Sequence, residues 1–271
     1  MKIVLPLLGQ VLLAVSATAV PAANRDRHIG ALSVTPPIFN KTLVARGSGE
    51  DGTDWTGAVY TAPPDGTKFT GVSARFVVPE TTFPAEYPDY LAGMVFGVGI
   101  DGNTNSGVML TAGVHTKVTY LGETQYVASW QWSPTSWVHK LYDEIEVNPG
   151  DEFYVSIQTT SPKTATIIFE NRTRGQKYVA DATPNDPETG NPLRGENVHW
   201  AASNFLRLSE PIPPSNFRQI RFLDTWAQTE SGAQVDSAGA HLLDFHFYAR
   251  PITKTTRISP TEIDITYIGP P

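Results

Sequence analysis

From Trp55 onward the chain is a succession of short segments in which apolar and polar positions alternate. Segments such as WTGAVYT, FTGVSARFVVP, ATIIFEN and TEIDITYI are rich in β-branched and aromatic residues, and turn formers such as PPDG and NPGD separate them. No stretch keeps a 3.6-residue apolar period for three turns. Regularly spaced strands without helices predict an all-β fold, built as a sandwich or a barrel. The segment PNDPETGNPLRGE is polar and rich in Pro, which predicts a surface loop.

The N-terminus has the three-part pattern of a secretory signal peptide. Lys2 precedes the apolar run IVLPLLGQVLLAV, and the small-residue segment that follows contains an A-x-A site at Ala17–Ala19. The run is short and is interrupted by Pro and Gly, which argues against a membrane-spanning anchor. We therefore expect a secreted, extracellular protein with a signal peptide (1–19), an extended arm or short pro-segment (20–50) and a single β-sandwich domain (51–271).

Composition narrows the functional classes. The formal net charge is −7 and the pI is about 5.3, so no nucleic-acid partner is expected. The chain has no cysteine, which excludes a cysteine nucleophile and thiolate-ligated metal sites. We expect a monomer with no cofactor and no membrane span. Asn40 and Asn171 begin sequons for N-glycosylation, a pattern that arises easily by chance.

The stretch VGIDGNTNSGVMLTAGVHTKV has the pattern of a strand end, a tight Asp-Gly turn, a polar loop and a second strand. On the second strand one face carries Met109, Thr111, Gly113 and His115, because side chains alternate along a strand. From local pattern alone, this face is either a buried surface or the wall of a site.

A second stretch, YVASWQWSP, places an aromatic stripe on one face of a strand. Tyr126, Trp130 and Trp132 belong to that stripe, and aromatic stripes are usually core because each ring buries a large apolar area. The opposite, more open face then carries Val127, Ser129 and Gln131. Their size and polarity suit either a ligand groove or plain solvent.

Taken together, these segments resemble one family. TDWTGAVY, VSARFVVPE, VGIDGNTNSGVMLTAG, WQWSP, VNPGDEFYVSI and ATIIFENRTRGQK occur in the order seen in the fungal glutamic peptidases, the eqolisins of peptidase family G1. The resemblance implies a secreted, acid-acting fungal ancestry. It also implies an antiparallel two-sheet β-sandwich, a concanavalin A-like or lectin-like jelly roll with seven strands in each sheet. The family's substrates are extended polypeptides that lie across the concave sheet.

In that family a Gln and a Glu on neighbouring strands of the concave sheet activate a water. The Glu acts as general base and acid, and the Gln holds the oxyanion. The resemblance places the Gln position at Thr111, in the element VGIDG…LTAG, and the Glu position at Ser203, at the end of VHWAAS. An earlier acid on the same strand corresponds to His199, and an acid after LTAG corresponds to His115. The catalytic dyad is therefore expected to be lost.

Further departures from the family fall on the same predicted face. The resemblance replaces an Asp by Val127, a Trp by Ser129, a Glu by Gln131 and a second Trp by Gly97, and it keeps Asp101. These residues, with the two substituted dyad positions, are the candidate groove and ligand-binding residues.

Three functions remain open. The first is a peptidase-like protein without activity, whose groove binds a peptide, a glycan or a small molecule. The second is an enzyme of another class, in which His115 and His199 act as acid and base on a small secondary metabolite. The third is an active acid endopeptidase. Metal binding by the two histidines with Asp101 is the weakest interpretation, and we expect no metal.

Overall fold

The computed structural model of the protein describes residues 34–35, 55–87, 91–103, 107–134, 138–186, 190–204, 206–207 and 210–271. The expected signal peptide and nearly all of the expected arm, with its sequon at Asn40, lie outside the described residues. No helix in the described part of the chain is long and apolar enough to cross a membrane.

Two antiparallel sheets make up most of the fold, with strands numbered in chain order. In spatial order, the seven-stranded sheet contains β16 (His241–Leu243), β2 (Trp55–Tyr60), β11 (Val198–Ser203), β4 (Leu91–Asp101), β5 (Met109–Thr119), β6 (Thr124–Ser133) and β7 (His139–Leu141). The eight-stranded sheet contains β10 (Gln176–Ala182), β9 (Thr164–Asn171), β8 (Glu152–Ser161), β3 (Phe69–Val77), β14 (Gln219–Thr229), β20 (Glu262–Tyr267) and β19 (Thr253–Ser259), with β15 (Gln234–Asp236) paired to β14.

Short elements complete the described secondary structure. They are β1 (Val34–Thr35), β12 (Leu206–Arg207) and β13 (Glu210–Pro211) in one small sheet, the pair β17 (His246–Phe247) and β18 (Arg250–Pro251), and a 3₁₀ turn at Ser237–Gly239. The pairing of β1 with β12 joins part of the expected arm to the segment that follows β11.

The main hydrophobic core lies between the two large sheets. On β4, Phe96 and Val98 are 0–1% exposed, and on β11 the Trp200 indole N–H donates across the sandwich to the carbonyl of Ser73 at 2.8 Å. Each fully buried large apolar side chain contributes about 2–3 kcal/mol through the hydrophobic effect. The aromatic stripe of β6 also faces inward, where Trp130 and Trp132 join the core.

The all-β, two-sheet sandwich expected from the sequence is confirmed, with two differences. The second sheet has eight strands, because the short β15 adds to it. The loop that contains PNDPETGNPLRGE does not lie only at the surface, since Leu193 is 6% exposed and packs in the main core. A single apolar residue in a polar loop leaves no periodic signal from which its burial could be predicted.

The sequon at Asn171 lies in the interior. Asn171 is fully buried, and its amide donates to the carbonyl of Glu146 at 2.9 Å and to a carboxylate oxygen of Asp151 at 2.7 Å. Arg174 donates to the same carboxylate oxygen at 3.0 Å. A glycan on Asn171 would replace one of the two amide protons, break one of these hydrogen bonds and need space in the interior, so the folded chain offers no acceptor there.

Candidate functional site

The seven-stranded sheet has one face in the core and a second face turned away from the eight-stranded sheet, which we call the outer face. On β11, Trp200 packs in the core, so His199 and Ser203 point to the outer face. The outer face carries His241 and Leu243 of β16, Trp55, Gly57 and Val59 of β2, His199, Ala201 and Ser203 of β11, Gly93, Val95, Gly97 and Gly99 of β4, Thr111, Gly113, His115 and Lys117 of β5, Gln125, Val127, Ser129 and Gln131 of β6, and Lys140 of β7.

Antiparallel pairing arranges these residues in rows across the sheet. The first row contains His199, Gly99, Thr111 and Gln131, the second Ala201, Gly97, Gly113, Ser129 and Lys140, and the third Ser203, Val95, His115 and Val127. Residues within one row are cross-strand neighbours, whereas residues in different rows are separated along the strands. The rows therefore decide which candidate residues can act together.

Glycines form the floor of the outer face at its centre. A Cβ atom on Gly97 would lie 2.1 Å from the carbonyl oxygen of Ala112, and one on Gly113 would lie 2.1 Å from that of Phe96. Neither position can hold a side chain without moving the neighbouring backbone. The Trp that the resemblance assigns to position 97 in the family therefore has no room in this chain.

His199 lies over the backbone of β4, beside Thr111. A Cβ atom on Gly99 would lie 2.3 Å from both Cε1 and Nε2 of His199, so the imidazole fills the space above this glycine. The ring also packs against Trp55, with centroids 5.5 Å apart. Burial lowers the pKa of His199 to about 4, so the imidazole is neutral above that pH.

Ser203 is placed away from Thr111. Ser203 lies in the third row and Thr111 in the first, and β4 lies between their two strands. Two strand spacings and four residues of strand rise put their Cα atoms roughly 16 Å apart. The residue that the structure brings next to Thr111 is His199, because Gly99 leaves the intervening position empty.

The two histidines are also not brought together. His115 lies in the third row between Val95 and Val127 and is 2% exposed. His115 and His199 are also separated by two strand spacings and four residues of strand rise, which puts their Cα atoms roughly 16 Å apart. Burial, followed by the charges of Lys140 and Lys117, lowers the pKa of His115 well below its usual value. A small substrate held between these histidines would have to span that separation.

The alternation predicted for β6 is confirmed, but the face opposite the aromatic stripe is less open to solvent than expected. Val127, Ser129 and Gln131 lie on the outer face, one in each row, and they are 4%, 4% and 7% exposed. Their role as ligand-binding residues stays a prediction. Ser129 pairs with Gly113 and Gln131 with Thr111, so both polar groups lie beside the glycine floor.

Asp101 was expected among the groove residues, but its carboxylate binds a neighbouring loop. Its side chain is fully buried at the end of β4, where it accepts hydrogen bonds from the backbone N–H groups of Arg194, Gly195 and Glu196 at 2.6, 3.1 and 2.8 Å. Burial raises the pKa of Asp101, and the three amides oppose this shift. The carboxylate ties the 190–197 loop to the sheet. In the described part of the chain no cluster of acids and histidines suited to a metal is present.

We predict that Asp101→Ala lowers the free energy of unfolding by about 3 kcal/mol, because it leaves one buried and two partly buried backbone amides without their acceptor. Urea or thermal unfolding measures the change. The matched control is Asp181→Ala, which removes an exposed acid on β10 and should change stability by less than about 0.5 kcal/mol. Equal effects from the two variants would contradict the anchoring role of Asp101.

The described rows of the outer face from Gly93 to Gly99 contain no Asp or Glu, and the carboxyl group of Asp101, two residues beyond Gly99, is held by the three loop amides. The ionisable groups of the outer face are His115 and His199, both held neutral by burial near pH 7, the exposed His241 of β16, which pairs with Val59, and two lysines, Lys117 and Lys140. This distribution differs from the chain as a whole, which has 27 acidic and 20 basic residues. These rows therefore lack a carboxyl group for proton transfer, and the face has a basic edge.

These features define a two-sheet β-sandwich protein with a candidate ligand-binding face on its seven-stranded sheet. The model of the Peptidase A4 family matches residues 53–267. The chain therefore belongs to this family, and the family expected from the sequence motifs is confirmed. No curated protein matches the chain in sequence.

Solved structures of glutamic peptidases share the fold. Scytalidoglutamic peptidase with a peptide-based transition-state analogue is 23% identical, with a TM-score of 0.66, over 79% of this chain and 98% of that chain. SCP-B, an eqolisin in complex with a tripeptide, is 22% identical, with a TM-score of 0.64, over 79% of this chain and 98% of that chain. Aspergilloglutamic peptidase from Aspergillus niger is 26% identical, with a TM-score of 0.58, over 66% of this chain and 100% of that chain.

Sequence reasoning did not single out four residues of the face: Trp55, Gly99, Lys117 and Lys140. Lys117 could have been found, because it continues the alternation of Thr111 and His115 on β5. Trp55, Gly99 and Lys140 become relevant only through the pairing of strands that are distant in sequence. No local pattern indicates that pairing.

Proposed function

We propose that this protein is an exported member of the family that binds an extended peptide along the outer face without hydrolysing it. The observation that carries the proposal is the lack of any carboxyl group in the described rows of that face from Gly93 to Gly99, the carboxyl group of Asp101 beyond them being held by loop amides. Export rests on the signal-like N-terminal pattern in the sequence.

The missing carboxyl group matters because peptide hydrolysis needs a general base and a group that stabilises the oxyanion. Each is worth roughly 10²–10⁴ in rate. Thr111 offers a hydroxyl, which is not a base at working pH. His199 offers an imidazole, but its ring is buried between Trp55 and the backbone at Gly99. Such a site can retain binding while its hydrolysis rate falls by several orders of magnitude.

The glycine floor supports an extended peptide as the ligand. With no side chains at Gly97 and Gly113, a bound chain can approach the backbone of β4 and β5 closely there, beside the imidazole that covers Gly99. The structural neighbours include peptidases bound to a peptide-based transition-state analogue and to a tripeptide. The alternative of acid–base chemistry on a small molecule has less support, since His115 and His199 lie in different rows.

The test is an assay of the purified full-length protein with unfolded casein between about pH 2 and pH 8. We expect retention of casein on the immobilised protein and no new cleavage products, with aspergilloglutamic peptidase as the positive control. Cleavage that disappears in His199→Ala would overturn the proposal in favour of an active peptidase. If no casein is retained at any pH, peptide binding is excluded as the function of the outer face.

A further inference from the structure

Two lysines meet at one edge of the outer face. Lys117 follows His115 on β5 by two residues and so lies on the same face. On β7, Leu141 packs in the core, so Lys140 points outward, where it pairs with Ser129 of β6. The two lysines and His115 therefore occupy three successive rows at the β5–β7 side of the sheet.

The two ammonium groups approach each other in a partly buried place. Burial, and then the Lys140 ammonium within hydrogen-bonding range, lower the pKa of Lys117 to about 8. Among the described residues, neither lysine forms an ion pair. A like-charged pair with no acid beside it is unfavourable in a partly desolvated position. An anionic group placed between the two would relieve the repulsion and accept hydrogen bonds from both.

An apolar cluster lies beside this charged edge. Leu91 and Val95 of β4 pack with Ile212, which follows β13, and with Val138, which precedes β7. Val95 pairs directly with His115. The surroundings of the two ammonium groups therefore combine an apolar wall with concentrated positive charge. A short carboxylate on an otherwise apolar chain satisfies both.

We propose that Lys117 and Lys140 select peptides with an acidic side chain, whose carboxylate they hold at the β5–β7 edge of the outer face. This inference rests on the proposed function and specifies its ligand. The protein as a whole is acidic, but this edge of the outer face is positively charged. It is therefore complementary in charge to a peptide with an acidic side chain. The apolar cluster accommodates the neighbouring residue of the peptide.

The experiment uses ten-residue peptide mixtures, capped at both ends, in which one central position is fixed as Glu or as Gln. Each mixture is passed over the immobilised full-length protein, and the retained peptides are quantified by mass spectrometry. The variants are Lys117→Met and Lys140→Met. The matched control is Lys68→Met, which removes an exposed lysine next to β3 of the other sheet. Thermal unfolding of each variant verifies its fold.

We expect the protein to retain the Glu mixture about tenfold more than the Gln mixture, with this preference lost in both variants and kept in Lys68→Met. Equal retention of both mixtures would overturn the acidic preference and leave peptide binding intact. Retention of neither would overturn the proposed function as well. Inorganic phosphate that raises the melting temperature only when both lysines are present, with no peptide retained, would assign the site to a small anion instead.

Discussion

The double variant Thr111→Gln with His199→Glu is expected to cleave casein at acid pH, at a rate at least about 10²-fold above the unmodified protein. The two positions share the first row, and the empty position at Gly99 lets the side chains approach each other over the backbone. A carboxyl group there supplies the missing base, and the Gln amide supplies the oxyanion donor. The appearance of new peptide fragments measures the gain.

The matched comparison is Thr111→Gln with Ser203→Glu, the pair that the sequence resemblance indicates. Ser203 lies two strands and four residues away from Thr111, so its carboxyl group cannot share a water with the new amide. We expect no gain of cleavage from this variant. Two results would contradict the placement of His199 beside Thr111. One is cleavage by the double variant with Ser203→Glu, and the other is no cleavage by a correctly folded double variant with His199→Glu.

Stability is expected to fall by about 3 kcal/mol as the pH drops from about 6.5 to about 4, because of His199 alone. Burial lowers the pKa of His199 in the folded chain to about 4, from 6.5 in the unfolded chain. The unfolded state therefore binds a proton that the folded state rejects. The stability that the neutral His199 contributes to the folded state is fully present above pH 6.5, and it is lost as the pH falls toward the pKa of His199 in the folded chain. A tenfold difference in proton affinity between the two states corresponds to about 1.4 kcal/mol.

Urea unfolding at a series of pH values measures this dependence, and His199→Gln should flatten it. The matched control is Thr124→Ala, which removes an exposed side chain without a titratable group on β6 and should leave the slope unchanged. The lowered pKa of His115 acts in the same direction, so part of the slope should persist in His199→Gln. A slope identical in all three proteins would show that the His199 imidazole is not held neutral in the folded state.

The sequence predicted the class of fold because strand alternation is a local property. The aromatic stripe of β6 placed Trp130 in the core and Gln131 on the opposite face, and the structure has both as predicted. The same alternation placed Thr111 and His115 together on β5. Each of these predictions needs only the two-residue period of a strand and the cost of leaving aromatic rings in water.

Partners across strands could not be predicted in this way. The resemblance pairs Thr111 with Ser203, whereas the sheet register brings Thr111 next to His199. His199 and Ser203 differ by four residues, and a shift by an even number keeps every side chain on its face and changes only its neighbours, so the hydrophobic pattern does not detect it. Asp101 is a similar case, because its three amide partners come from a loop more than ninety residues away in sequence.

By itself, then, the sequence determined the family and the all-β sandwich, since the order of the motifs and the alternation of side chains are local properties of the chain. The loss of the catalytic dyad stays a prediction. The tertiary structure alone decided that His199 faces Thr111, that Asn171 is buried and that Lys117 meets Lys140. The physical reason is that each of these contacts joins strands paired by long-range register. Register is set by how the two sheets pack, and no single segment carries that information.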